Sequence, residues 1–181
     1  MLKTISNRVS ILEKEEGLSL VIKADYDQNK QNMLMVWILA WTIGGIAIFF
    51  QTILGDLSRE TKIYLMVWMA FWAYFEYLTV LAFFWHKKGI EKILFKSDRF
   101  VYRRGIFGIG KPEECYYDLV KNIQLIEFNE KSIIAFLSLS YWQISGETIQ
   151  FDYQSKRYKF GYNLNKNEQI EISKLLKKYC K

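Results

Sequence analysis

The chain has little of what catalytic and metal sites are usually built from. It holds one histidine, His86, and two cysteines, Cys115 and Cys180, none of them neighbours at ligand spacing. Zinc and iron–sulfur centres take three or four such donors, so no metal is expected. A single histidine leaves no Ser–His–Asp or Cys–His set away from residue 86, and neither cysteine has a base beside it. Adjacent acids such as Glu113 and Glu114 alternate sides of a strand and need not converge. The expectation is a protein that is not an enzyme and uses no cofactor. A bridge between the cysteines would need an oxidising compartment, so both are expected to be free and cytoplasmic. Proline is scarcer still: Pro112 is the only one, and it is expected in a loop. There is no arginine-rich tract, no repeat and no low-complexity segment. The basic residues behind the net charge of +6 are spread through the ends of the chain, so no nucleic-acid partner is expected.

What the chain does have is two long apolar runs. Residues 34–54, LMVWILAWTIGGIAIFFQTIL, carry no charge, and residues 63–85, IYLMVWMAFWAYFEYLTVLAFFW, carry one, Glu76. At about 1.5 Å per residue, either run crosses a hydrocarbon core of roughly 30 Å. The intervening GDLSRETK can only turn a tight corner. The pattern predicts a transmembrane helical hairpin over 34–85, flanked by a segment 1–33 and a larger one 86–181. No cleavable signal peptide is expected, because the first run follows a polar segment and is too long for an h-region. Trp37, Trp41, Trp68 and Trp85 suit membrane interfaces, whereas Trp72 is deep enough to pack between helices. After Trp85 come His86, Lys87, Lys88, Lys92, Lys96, Arg99, Arg103, Arg104 and Lys111 against only Glu91 and Asp98. The outer corner balances Arg59 and Lys62 with Asp56 and Glu60. The positive-inside rule therefore places both termini in the cytoplasm.

The ends of the chain read as strands. Alternation predicts an N-terminal β-hairpin over 8–13 and 18–24, too small to stand alone and expected to pair with the C-terminal segment. That segment predicts strands at 91–97, 99–105, 113–117, 122–128, 134–143, 147–153 and 156–160, separated by turn residues. One amphipathic helix follows. Asn165 and Glu168 form a capping-box pattern, and Ile172, Leu175, Leu176 and Tyr179 recur at helical spacing.

Several stretches resemble small bacterial membrane proteins of Bacteroidetes type that carry a pleckstrin-homology-like (PH-like) domain. They are Gly89-Ile90-Glu91, the run from Tyr102 to Gly110, Asp118-Leu119 through Ile123, Gly146 to Tyr153, and Lys156 to Gly161. The likeness covers about residues 30–180. It implies an all-β PH-like domain of about seven antiparallel strands closed by a C-terminal helix, anchored in the bacterial inner membrane. The layout is also similar to that of the photosystem I assembly factor family. Where relatives more often have a turn glycine, this chain has Gln154-Ser155.

Glu76 is the sharpest single residue. A carboxylate at that depth costs a few kcal/mol on insertion scales and calls for a partner. Thr42, Gly44 and Gly45 lie at matching depth on the other helix, with Tyr74 and Tyr77 as further partners. The expected result is a polar seam between close-packed helices, and the alternative is a proton or cation site. His86 is expected as an interfacial residue at a helix end, with pH sensing as the alternative. Lys87, Lys88, Lys92, Arg99, Arg103, Arg104 and Lys111 are candidates for a basic surface facing anionic lipid. Phe107 in its glycine-rich loop is expected to be a buried turn aromatic, with an exposed anchor as the alternative. The function expected is a non-enzymatic accessory, scaffold or assembly subunit that binds the lipid bilayer and a membrane or cytoplasmic protein. An anionic-lipid-directed protein is the first alternative, and a small ion or proton translocator using Glu76 is the second.

Overall fold

The computed structural model describes residues 2–14, 17–126, 141–142 and 144–180. The apolar runs fold as two long helices, α1 (Gln28–Leu54) and α2 (Arg59–Lys88). Asp27 caps α1 by accepting from the Asn29 and Lys30 amides, and Ser58 caps α2 by accepting from that of Thr61. These caps satisfy amides that have no partner within the helix. Both helices are long and apolar enough to cross a membrane. Their apolar side chains face outward: Ile43 is 68% exposed and Phe71 63%. A core helix of a water-soluble protein would bury such residues.

Six strands form one antiparallel sheet in chain order: β1 (Leu2–Thr4), β2 (Val9–Lys14), β3 (Gly17–Lys23), β4 (Gly89–Phe95), β5 (Arg99–Ile106) and β6 (Pro112–Tyr116). A short helical turn, Tyr117–Leu119, leads to a three-stranded sheet of β7 (Val120–Leu125), β8 (Glu147–Tyr153) and β9 (Lys156–Tyr162). Helix α3 (Lys166–Tyr179) follows. The strands β3 and β4 are direct neighbours, with Lys23 opposite Ile90 and the Ala24 amide donating to the Gly89 carbonyl at 2.9 Å. The helical hairpin is thus an insertion between two paired strands, and its two ends leave the sheet side by side.

Period-two patterning decides what the sheets bury. On β4, Glu91, Ile93 and Phe95 point inward and are buried, while Ile90, Lys92 and Leu94 form the outer face. Phe100 meets Phe151 edge-on across the two sheets at 5.5 Å. Ile149, Phe160, Ile172 and Leu176 are fully buried around them. The capping box of α3 is complete: Asn165 Oδ1 accepts from the Glu168 amide, and Glu168 Oε2 accepts from the Asn165 amide, both at 2.9 Å. Tyr179 at its end stacks on Phe95.

Pro112, expected in a loop, is instead the first residue of edge strand β6, opposite Arg103, a position where a missing amide is tolerated, and strands β1 and β7 also depart from expectation. Strand β1 has three residues, too few to show alternation. Strand β7 starts at Val120 rather than 122, and an irregularity between Lys121 and Gln124 places Asn122 at φ 53°. The strand expected over 134–143 lies outside the described residues apart from Tyr141 and Trp142, which form a turn.

Tyr153 pairs directly with Lys156, leaving Gln154 and Ser155 as a two-residue turn at φ 45° and 67°. Both positions are left-handed, where Asn-Gly is favoured. Replacing Ser155 with glycine is expected to raise stability by about 1 kcal/mol, the left-handed penalty less the chain entropy that glycine loses. A higher denaturant midpoint with an unchanged slope would show it.

Candidate functional site at the junction of hairpin and sheets

Between the helices the Thr42 hydroxyl donates to Glu76 Oε1 at 2.5 Å. One turn further along α1, Gly45 is buried against the Trp72 indole, which would overlap any Cβ placed there. The Trp72 Nε1–H donates to the Trp41 carbonyl at 3.3 Å. The structure therefore brings Thr42, Gly45 and Glu76 into one seam. Gly44 is turned away, with nothing within 4 Å of a Cβ built on it. Tyr74 and Tyr77 also point outward, at 58% and 64% exposure. Glu76 Oε2 is buried and has no hydrogen-bond partner among the described residues. An open crevice of about 210 Å³ beside the seam is lined by Trp37, Ala40, Trp41, Gly44, Ile48 and Trp68, with Gly45 and Trp72.

At the end of α2 the structure corrects the expectation of interfacial residues. His86 is 1% exposed and Trp85 2%. The His86 Nδ1 faces the Asp25 carbonyl at 3.2 Å, and Nε2 faces the Tyr141 carbonyl at 2.9 Å. Carbonyls only accept, so an imidazole with one N–H satisfies one of them, and an imidazolium satisfies both. The Tyr141 ring stacks on His86 at 3.6 Å, and its hydroxyl donates to Gln31 Oε1 at 3.0 Å. The Gln31 amide in turn donates to the Phe83 carbonyl at 3.0 Å, tying the start of α1 to the end of α2. Arg8 pairs with Asp25 at 3.2 Å and donates to the Tyr162 carbonyl at 2.9 Å. Asn163 donates to Asp25 Oδ2 at 2.9 Å. The linker into α1, the end of α2 and the end of β9 are bound to one another.

Next to this lies a buried ionic cluster, and Arg104, expected on a lipid-facing surface, belongs to it. Arg104 points inward from β5 and sits 4.6 Å above the Trp85 ring. It pairs with Glu147 at 2.5 Å and with Glu91 at 3.5 Å. Glu91 is 1% exposed and accepts from the Gly161 and Tyr162 amides at 2.7 and 3.2 Å. Gly161, at φ 79°, turns both amides toward the carboxylate. Burial pushes the Glu91 carboxyl above the usual carboxylate range, while Arg104 and the two amides pull it back.

The remaining basic residues divide. Lys87, Lys88 and Lys111 are exposed. Lys92 and Arg103 face each other on the outer side of the large sheet. Arg99 is engaged by Asp98 and Glu114, both at 3.3 Å. Phe107, expected to be buried, is 59% exposed at the β5–β6 turn, and Ile109 beside it is 81% exposed. Cys115 and Cys180 are free thiols, and burial pushes Cys115 up to about 12. Among the described residues no group of three or more His, Cys, Asp or Glu is placed to hold a metal ion. Comparison with family models, with curated proteins and with solved structures finds no match.

Proposed function

We propose that the protein is a membrane-anchored scaffold or assembly subunit without catalysis of its own, holding a protein partner at the cytoplasmic face of a bacterial inner membrane. In this reading α1 and α2 span the bilayer, both termini are cytoplasmic, and the two sheets with α3 make a PH-like domain. One observation carries it: the hairpin is inserted between paired strands β3 and β4 and is fastened at its base through His86, Gln31 and Arg8. A simple anchor needs only a tether. A hairpin locked to its domain presents a helix face and a sheet surface in a fixed mutual orientation, which suits holding one partner in two places. On the open side of α1, Ala40 and Gly44 leave room for another transmembrane helix to approach.

The test is purification in mild detergent after crosslinking in membranes. The expected result is one membrane protein in fixed stoichiometry, retained by the wild type and lost by Gly44→Leu, which fills the open face. Recovery as an uncrosslinked monomer would sink the proposal.

A second reading, attraction to anionic lipid, is favoured by exposed Lys87 and Lys88 at the end of α2 and exposed Lys111 in the β5–β6 connection. Each basic residue at an anionic surface contributes about 1 kcal/mol.

A further inference from the structure

We infer that the β5–β6 turn is a membrane-inserting tip: Phe107 and Ile109 enter the leaflet from which α2 emerges, with Lys87, Lys88 and Lys111 at the level of the lipid phosphates. This rests on the reading that α1 and α2 cross a bilayer.

The turn is built in an unusual way. Ile106 bridges Ile109, whose amide donates to the Ile106 carbonyl at 2.9 Å, so Phe107 and Gly108 are the two central residues. Their φ values are 55° and 76°. Gly108 fits a left-handed position. Phe107 does not, and asparagine or glycine would relieve it. A strained aromatic held at an exposed tip is an outlier of the kind that collects at functional positions.

The surroundings say what the tip faces. The Phe107 amide donates to the Lys88 carbonyl at 3.2 Å, so the turn lies against the last turn of α2. Its ring lies 6.0 Å from that of Phe84, 41% exposed on the outside of the helix. Phe84 comes four residues before Lys88, about 6 Å further along the helix axis toward its membrane-spanning part. The tip therefore reaches back past the lysines to a level where α2 shows only apolar side chains. Tyr77, Val80, Leu81, Phe84, Ile106 and Phe107 enclose an open crevice of about 200 Å³ between helix and tip. The crevice continues the apolar surface that α2 presents to lipid, and an acyl chain is the occupant that matches its lining. Lys87 and Lys88, which follow Phe84 in the last turn of α2, and Lys111, which follows Ile109 in the turn, are exposed and complement phosphate groups. The opposite end of β5 is turned away: at about 3.3 Å per residue, the β4–β5 turn at Ser97 lies roughly 25 Å from the tip.

The experiment uses the full-length protein in vesicles of phosphatidylcholine and phosphatidylglycerol in equal parts. Single-cysteine labelling sites are made as Ile43→Cys, Ile109→Cys and Ser97→Cys in a Cys180→Ser background. Cys115, 0% exposed, stays unlabelled. Each fluorophore is challenged with lipids bearing a nitroxide near the headgroup or near the chain end. The expected result is quenching of Ile43 by the deep nitroxide, quenching of Ile109 by the shallow one, and none at Ser97. An unquenched Ile109 beside a quenched Ile43 overturns the inference while the spanning hairpin stands, and leaves the crevice to a protein partner. Quenching at Ser97 equal to that at Ile109 also overturns it, since the tip is then no closer to lipid than the far end of the domain. An unquenched Ile43 removes the membrane reading, and the inference falls with it.

Discussion

Replacing Arg104 with methionine is expected to lower stability by about 3–5 kcal/mol at mildly alkaline pH, the usual cost of removing one partner from a buried ion pair. The substitution keeps most of the apolar stem over Trp85 and removes the charge that faces Glu91 and Glu147. Glu91 then stays buried with only the Gly161 and Tyr162 amides and a long contact from the Tyr102 hydroxyl at 3.5 Å. Its pKa is already raised by burial with Arg104 present, and without the cation it rises further. The direction of the pH effect follows. A carboxyl whose pKa is higher in the folded than in the unfolded chain binds its proton more tightly in the fold. The penalty for ionising it is absent below the unfolded value, grows as pH rises past that value, and is complete above the folded one. The deficit of Arg104→Met relative to wild type is therefore expected to shrink as pH falls into the usual carboxylate range. Adding Glu91→Gln should restore much of the loss at alkaline pH, because the stranded charge is gone. Denaturant unfolding in detergent, run as a pH series on wild type, single and double variants, measures all three quantities. A deficit that ignores pH would instead assign the loss to the guanidinium stacked on Trp85.

That cluster was visible in the sequence before its meaning was. Glu91 alternates in phase with Ile93 and Phe95, and Arg104 in phase with Phe100 and Tyr102, so period two alone places an acid and a base on the buried face of neighbouring strands. Net charge near a membrane favoured reading Arg104 as part of a lipid-facing patch, because counting charges ignores which face of a strand each occupies. The helices and α3 were legible because long apolar runs and a capping box are local signals. That the N-terminal strands pair with the C-terminal segment was legible because two strands alone lack a core, whereas the choice of β3 and β4 as the partners that flank the helices is long-range and carries no specific local mark. His86 was legible as a residue at a helix end but not as a buried one: its partners at Asp25 and Tyr141 are 61 and 55 residues away. The exposure of Phe107 also depends on a distant neighbour. Its ring meets Phe84 on α2, a contact between segments far apart in the chain that no local pattern marks.

The two adjacent glycines of α1 should answer substitution in opposite ways. Gly45→Leu is expected to destabilise the hairpin by about 3 kcal/mol, at the upper end for overpacking a close contact. The side chain would have to occupy the position of the Trp72 indole, so either the ring leaves or the helices part. Parting them also pulls Thr42 from Glu76 and Trp72 from the Trp41 carbonyl. Glu76 would then lose the Thr42 hydroxyl as a donor, which adds to the cost. Gly44→Leu adds the same side chain one residue earlier, where nothing lies within 4 Å. Its effect on the isolated chain is expected to be a stabilisation of up to about 0.8 kcal/mol, the helix propensity that leucine gains over glycine where no contact is disturbed. Composition and mean helix propensity are identical in the two variants, so the difference between them isolates the helix contact. Unfolding in a denaturing detergent, with the spacing of spin labels on the two helices read in parallel, measures the stability change and the separation together. Equal behaviour of the two variants would mean that α1 and α2 do not meet at Gly45. If Gly45→Leu is destabilised while the spacing holds, the Trp72 ring has moved and Thr42 and Glu76 have stayed together. The polar pair would then hold the helices more strongly than the glycine contact does.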